Sequence, residues 1–174
     1  MSAAKVVMEA RAAGVQLRVV DEDLALAAAT KPSAAVLELL SRHKPAIVGW
    51  LRPGPDGWSA EDWNVFFDER AGIAEFERGL PRDIAETRAF KCCVVEWLNN
   101  NPARATAGRC PRCGSEDNNY DPLIPYGCSS NRIVWLHSRC WPGWYSARKA
   151  TAIAALAEMG IRELTITGYN SPET

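Results

Sequence analysis

Six cysteines and two histidines supply the soft donor atoms of this 174-residue chain, and five of those eight residues lie between Cys110 and Cys140. Cys110-Pro-Arg-Cys113-Gly114 opens the stretch, His137-Ser-Arg-Cys140 closes it, and 23 residues separate Cys113 from His137. Two residues separate the members of each pair. A Cys-x-x-Cys turn lets two sulfurs converge on one point, and the following glycine eases the backbone as it folds back. His137 and Cys140, three apart, share a face if the chain enters a helix there. Three thiolates and one imidazole describe a closed tetrahedral site for structural zinc, formed by Cys110, Cys113, His137 and Cys140. Cys128, isolated between turn signals, is the alternative to His137 as fourth ligand.

These donors need elements to hold them. Asp121-Pro122 and Pro125-Tyr126-Gly127 mark turns, and Ile133-Val-Trp135-Leu136 reads as a strand that delivers His137. Pro142 belongs in the first turn of a following helix, where a missing N–H costs little. Ala147 to Met159 is rich in helix formers, with a stripe of Ile153, Leu156 and Met159 and Gly160 at its end. Knuckle, hairpin and a helix whose first turn supplies two ligands: this order resembles a treble-clef zinc finger over about 50 residues. Treble clefs also carry HNH-type nucleases, which need a histidine beyond the structural ligands to activate water. Only His43 remains for that role, far away in the first segment, so a nuclease is the weakest of three readings. Trp135, Trp141, Trp144 and Tyr145 flank the donors and read as shielding for a small core. With Arg132, Arg139, Arg148 and Lys149 they are also the candidate face for unpaired bases and phosphates.

The formal net charge of −1 conceals a pattern. Residues 1–52 carry seven Lys/Arg against five acids, residues 53–101 five against ten, and residues 102–162 eight against four. The acidic middle argues against a continuous nucleic-acid track. Hydrophobic content of 47% and charged content of 24% suit a folded protein rather than a disordered one. Neither a secretory leader nor a run long enough for a membrane helix is legible, so a cytoplasmic location is expected.

In the first segment, Ala3 to Ala13 reads as a helix ended by Gly14. Val15, Leu17 and Val19 alternate with polar residues as a half-buried strand, Asp21-Glu22-Asp23 turns, and Leu24-Ala-Leu26 returns. Ser33 caps a helix carrying Val36, Leu37, Leu39 and Leu40, and Lys44-Pro45 starts a further short helix through Ile47, Val48 and Leu51. With Gly14-Val-Gln-Leu17, Asp23-Leu24 and Leu37-x-x-Leu40-x-x-His43-Lys44-x-x-Ile47, the segment resembles the TubC-type N-terminal docking domain of polyketide and nonribosomal-peptide synthetases. The resemblance implies an α-β-β-α-α unit, often homodimeric, that takes a short peptide of a partner protein along its hairpin. The contact would fall at Leu24 and Leu26 on the second strand.

Pro53-Gly54-Pro55-Asp56-Gly57 is a linker by composition. Ser59 and Asp62 open a helix with a loose capping box, and Trp63, Phe66, Phe67, Ile73 and Phe76 supply its apolar side. Pro81 begins a second helix, striped by Phe90, Cys93, Val94, Trp97 and Leu98. Cys92-Cys93 reads as part of that buried surface rather than as a redox pair. The run Glu69-Arg70-Ala71-Gly-Ile73-x-Glu75-Phe76-x-x-Gly79-Leu80-Pro81-Arg82-x-x-Ala85-Glu86 resembles a segment recurring in phage, plasmid and integrated-element proteins.

The expected architecture is therefore α+β: a docking-like domain over residues 1–52, a helical hairpin over 53–104, a treble-clef-like zinc module over 105–162 and a tail over 163–174. The expected function is that of a non-enzymatic zinc-binding adaptor for protein docking, an accessory protein of a mobile genetic element. Nucleic-acid binding through the basic aromatic face is the alternative. No membrane partner is expected.

Overall fold

The computed structural model describes residues 2–103, 106–127 and 133–164. In chain order these form α1 (Ala3–Ala12), β1 (Val15–Val20), β2 (Asp23–Ala28), α2 (Ala34–Leu51), α3 (Ala60–Phe76), α4 (Arg82–Asn100), β3 (Leu123–Tyr126), β4 (Val134–His137), a 3-10 turn (Ser138–Cys140) and α5 (Trp141–Glu158). The mixture of helices and two small antiparallel sheets is α+β, as expected. The chain divides into two compact units, Met1–Phe66 and Phe67–Thr174.

In the first unit, the Ser2 hydroxyl accepts the Lys5 N–H at the start of α1. Gly14 ends it at φ +78°, in the left-handed region where a glycine carries no steric penalty. The β1–β2 hairpin pairs Leu17 with Leu26 and Val19 with Leu24. Its two-residue turn holds Asp21 at φ 47° and Glu22 at φ 69°, matching the twist of the strands although neither residue is glycine. Helix α2 braces that turn. Lys44 Nζ lies 2.5 Å from Asp23 Oδ1, and Arg52 Nη2 lies 3.6 Å from Glu22 Oε1. The hydrogen bond from Lys44, then the one from the Leu24 N–H, holds the Asp23 carboxyl below its ordinary range. Val6, Val7, Ala10, Val15, Leu17, Leu40 and Ile47 form the core, with Leu24, Val36, Leu39, Trp50 and Leu51 packed on it.

One expectation fails here. Pro45 does not open a separate helix: residues 34–51 form one continuous helix with Pro45 inside it, so the observed order is α-β-β-α. A proline in a helix interior costs about 3 kcal/mol through a lost bond and a clash. Leu40 on one side of it and Ile47 and Val48 on the other are all buried. Burial of that shared stripe at roughly 1.5–3 kcal/mol per large side chain outweighs the local cost.

The linker turns tightly, with the Gly57 N–H on the Gly54 carbonyl and the Gly54 N–H on the Trp58 carbonyl. Ser59 and Asp62 then close a full capping box. The Asp62 N–H donates to Ser59 Oγ at 3.1 Å, and the Ser59 N–H donates to Asp62 Oδ2 at 2.8 Å. Trp63 is fully buried against Trp58, at 4.7 Å between ring centroids, and sits edge-on to Phe66. Arg11 on α1 pairs with Glu61 on α3, which ties the start of α3 to the first unit. Ser59→Ala is expected to cost about 0.5–2 kcal/mol, the usual worth of such a cap, read as a lower denaturant midpoint at unchanged slope.

In the second unit, α4 buries Ala85, Ala89, Phe90, Cys93, Val94 and Trp97. The expectation that both adjacent cysteines belong to the buried surface holds only for Cys93. Cys92 is exposed, whereas burial first, with the neighbouring thiol adding to it, pushes Cys93 up to about 12. Phe76, expected on the apolar side of α3, is 85% exposed. It is the last residue of α3, where the chain begins its turn to Gly79, and beyond Trp63 the pattern is carried inward by Ala71 and Ala74. Helix α4 packs against α5. The Arg148 guanidinium lies over the Trp97 ring at 5.5 Å and donates to the Asn101 carbonyl. Helix α5 ends in a Schellman motif, with Ile161 N–H on the Leu156 carbonyl and Gly160 N–H on the Ala157 carbonyl. Ile161 and Leu156 are both buried there.

Candidate metal centre

The Cys110 knuckle is assembled from backbone hydrogen bonds. The Cys110 N–H donates to the Ser115 carbonyl at 2.9 Å, and the Gly114 N–H donates to the Cys110 carbonyl at 2.8 Å. Gly114 takes φ +76°, as a turn doubling back beneath two sulfurs requires. Arg109 and Glu116 clamp the base of the knuckle through a backbone bridge and a 2.5 Å ion pair.

The second half of the site comes from the β3–β4 hairpin, paired from Leu123↔His137 to Tyr126↔Val134. The hairpin was expected, but its first strand was not placed at Leu123–Tyr126, because Pro125 reads as a turn residue. A two-stranded sheet gives β3 a free outer edge, where a missing N–H is tolerated. Its entry is set by Asp117 Oδ1, which accepts the Leu123 N–H at 2.8 Å, and by Asn118 Oδ1, which accepts from Tyr120 and Asp121. His137 is the last residue of β4, and Cys140 ends the 3-10 turn as the N-cap of α5. The expectation that one helical turn carries both ligands is therefore corrected. The α-helix proper begins only at Trp141, with Pro142 in its first turn, and the tighter 3-10 turn brings the two donors together.

The donor atoms of Cys110, Cys113, His137 and Cys140 all lie within 4.8 Å of one another. A tetrahedral ion with bonds of about 2.0–2.3 Å holds its ligands roughly 3.5–4 Å apart, so this cluster fits one ion. His137 is fully buried, and its Nδ1 lies 3.4 Å from Cys113 Sγ. Its Nε2 lies 3.4 Å from the Glu116 carbonyl oxygen. That carbonyl is an acceptor for an Nε2–H, which leaves the Nδ1 lone pair for the ion. Asp121 Oδ2 stands 3.9 Å from Nδ1 and is ion-paired with Arg139 Nε at 2.8 Å, so the carbonyl orients the ring and the carboxylate adds negative charge beside it.

The thiols are unequal. The Ser115 N–H, then its hydroxyl, holds Cys113 down at about 7. Burial pushes Cys110 up, but N–H groups of Cys113, His137 and Arg112 outweigh it and the net direction is downward. Burial, then the two neighbouring sulfurs, pushes Cys140 up to about 11. Three thiols this close compete for charge, and a cation among them relieves that competition.

Aromatic rings cover the site on the α5 side. Trp141 stacks on Tyr126 at 4.4 Å and 6°, and also meets Trp144 and Tyr145. Leu136 and Val134 lie buried beneath, with Cys110.

The remaining predicted residues are spread out. Leu24 is half-buried against the core of the first unit, and Leu26, opposite Leu17, is 44% exposed. Arg139 is paired with Asp121, Arg148 is held on α4, and Lys149 is exposed on α5. Arg132 and Cys128 lie outside the described residues, as does the tail beyond Leu164. Glu116, Asp121 and Arg109 were missed; the only signal was their acidic and basic character beside the ligands. No described helix is long and apolar enough to cross a membrane.

Fold and site together define an α+β protein with a Cys3His cluster able to hold a metal ion. Comparison with protein-family models, curated proteins and solved structures gives no match.

Proposed function

We propose that this chain is a non-enzymatic adaptor whose second unit is organised by structural zinc and whose first unit docks a partner protein. The observation that carries the metal half is the closed donor set. Three sulfurs and one imidazole suit zinc, and four protein ligands leave no open position for water or substrate. The three-dimensional order of knuckle, hairpin and helix supports a treble-clef-like reading.

The docking half rests on the hairpin and on the resemblance to TubC-type domains. Among the described residues strand β2 has a neighbour on one side only, and its row Leu24, Leu26, Ala28 leaves Leu26 open. An extended peptide can add to that edge by main-chain hydrogen bonds and read the apolar row by its own side chains. The resemblance of residues 69–86 to phage and plasmid proteins supports assigning the adaptor to a mobile genetic element.

The test uses strand-forming peptides selected by display on the immobilised full chain. Leu26→Asp is expected to weaken their capture by about tenfold or more, an apolar anchor being worth over 1 kcal/mol, while zinc content stays unchanged. Equal capture by the variant would remove the strand-edge model.

A further inference from the structure

Residues 53–101 hold ten acids and five bases, so that stretch looks repellent to anions. Its folded form is different. Four of the five bases, Arg70, Arg78, Arg88 and Lys91, line one groove of about 340 Å³ between the C-terminal half of α3 and the N-terminal half of α4. Ile73, Ala74 and Cys92 complete the lining, and no carboxylate belongs to it. The fifth base, Arg82, is used elsewhere, holding Glu75 at 3.1 Å and Glu86 at 2.6 Å.

The spacing explains the convergence. Arg70, Ile73 and Ala74 share a face of α3, and Arg78 lies in the turn that follows. Arg88, Lys91 and Cys92 share a face of α4 at i, i+3 and i+4. Arg70 is paired with Glu69 at 3.2 Å. Arg78, Arg88 and Lys91 are exposed and have no ion pair among the described residues. Like charges gathered over an apolar floor repel one another, and a floor of low polarity screens them poorly. An acid-rich stretch that keeps its carboxylates out of this groove leaves the cations for an outside anion.

We infer that this groove binds a phosphate group. Cations on both walls suit a tetrahedral dianion that accepts hydrogen bonds from several sides, whereas a flat carboxylate is filled by one guanidinium fork. The apolar floor at Ile73 and Ala74 suits the sugar or base attached to that phosphate. Two sources share this chemistry, a free nucleotide or diphosphate and the backbone of a nucleic acid. The site is separate from the aromatic face of the metal module, and does not rest on the adaptor reading.

The experiment measures binding of pyrophosphate by calorimetry and of a dye-labelled single-stranded oligonucleotide by anisotropy. Both use the full zinc-loaded chain at low ionic strength. Arg88→Glu/Lys91→Glu is expected to weaken at least one probe by about tenfold or more, with zinc content and circular dichroism unchanged. Lys31→Glu, exposed in the first unit, should leave it unaltered. Loss of both probes assigns the shared phosphate chemistry; loss of the oligonucleotide alone assigns a nucleic-acid strand. No binding of either probe, or equal binding by the double variant, would overturn the inference. So would tighter binding of a polyglutamate peptide. Should the double variant fold poorly, Arg78→Gln in the inter-helix turn provides the same reading.

Discussion

Cys140→Ser is expected to abolish stoichiometric zinc and to melt the module built on it. The serine keeps the volume but offers a poor ligand, and a site of three donors no longer closes. Zinc binding in small structural sites is worth about 10–16 kcal/mol, comparable with the whole stability of a domain. Among the described residues, the knuckle and the hairpin have little else to hold them. The sheet has two strands, and the buried cluster beside the site is Cys110, Val134 and Leu136. The loss would be read by elemental analysis and by collapse of the near-ultraviolet dichroism of the Tyr126–Trp141 stack. His137→Cys, which restores four soft donors, should keep the zinc, and His137→Ala should not. An ordered Cys140→Ser module with unchanged aromatic dichroism would show that packing alone suffices.

The second large effect is on metal affinity as pH changes. A thiol binds the ion as thiolate, so any proton it still carries at a given pH must be displaced, and acid opposes binding. Cys140, held at about 11, carries its proton through neutrality, whereas Cys113, at about 7, has largely lost it above that point. Between these values Cys140 has a proton to displace, and affinity should rise at least about tenfold per pH unit. Below about 7 Cys113 is protonated as well, so affinity should fall about a hundredfold or more per unit. Chelator competition at a series of pH values reads both slopes. A flat profile would mean that these sulfurs do not hold the ion.

The Cys3His cluster was legible because the chemistry lives in residue type and spacing: two pairs, each with two residues between, allow few other readings. The hairpin of the first unit was legible for a similar reason, since Val15 and Leu17 alternate with Gln16 and Arg18 and both are buried. What failed was decided by partners distant in sequence. Pro45 breaks a helix by local rules, yet Leu40 and Ile47 bury into a common core on either side of it. Pro125 likewise hid β3, because no local rule says that the strand has an empty side. Phe76 continues a helical pattern that has run out of neighbours at the end of α3. The basic groove was invisible for the converse reason. A net excess of acid along residues 53–101 hides the fact that two helical faces turn their bases toward each other.

The carboxylate and carbonyl around His137 also could not be read from the sequence. Glu116 acts through its backbone oxygen, which any residue possesses, and Asp121 reaches the ring only because the β3–β4 pairing brings it there. A shell of this kind is set by tertiary geometry, and it decides which imidazole nitrogen faces the ion.

Zinc-edge X-ray absorption on freshly purified full-length protein, with metal content measured on the same sample, tests the central claim most directly. The account predicts one zinc per chain, surrounded by three sulfurs at about 2.3 Å and one nitrogen at about 2.0 Å. Protein without zinc, or a shell of four sulfurs that recruits Cys128 in place of His137, would contradict it.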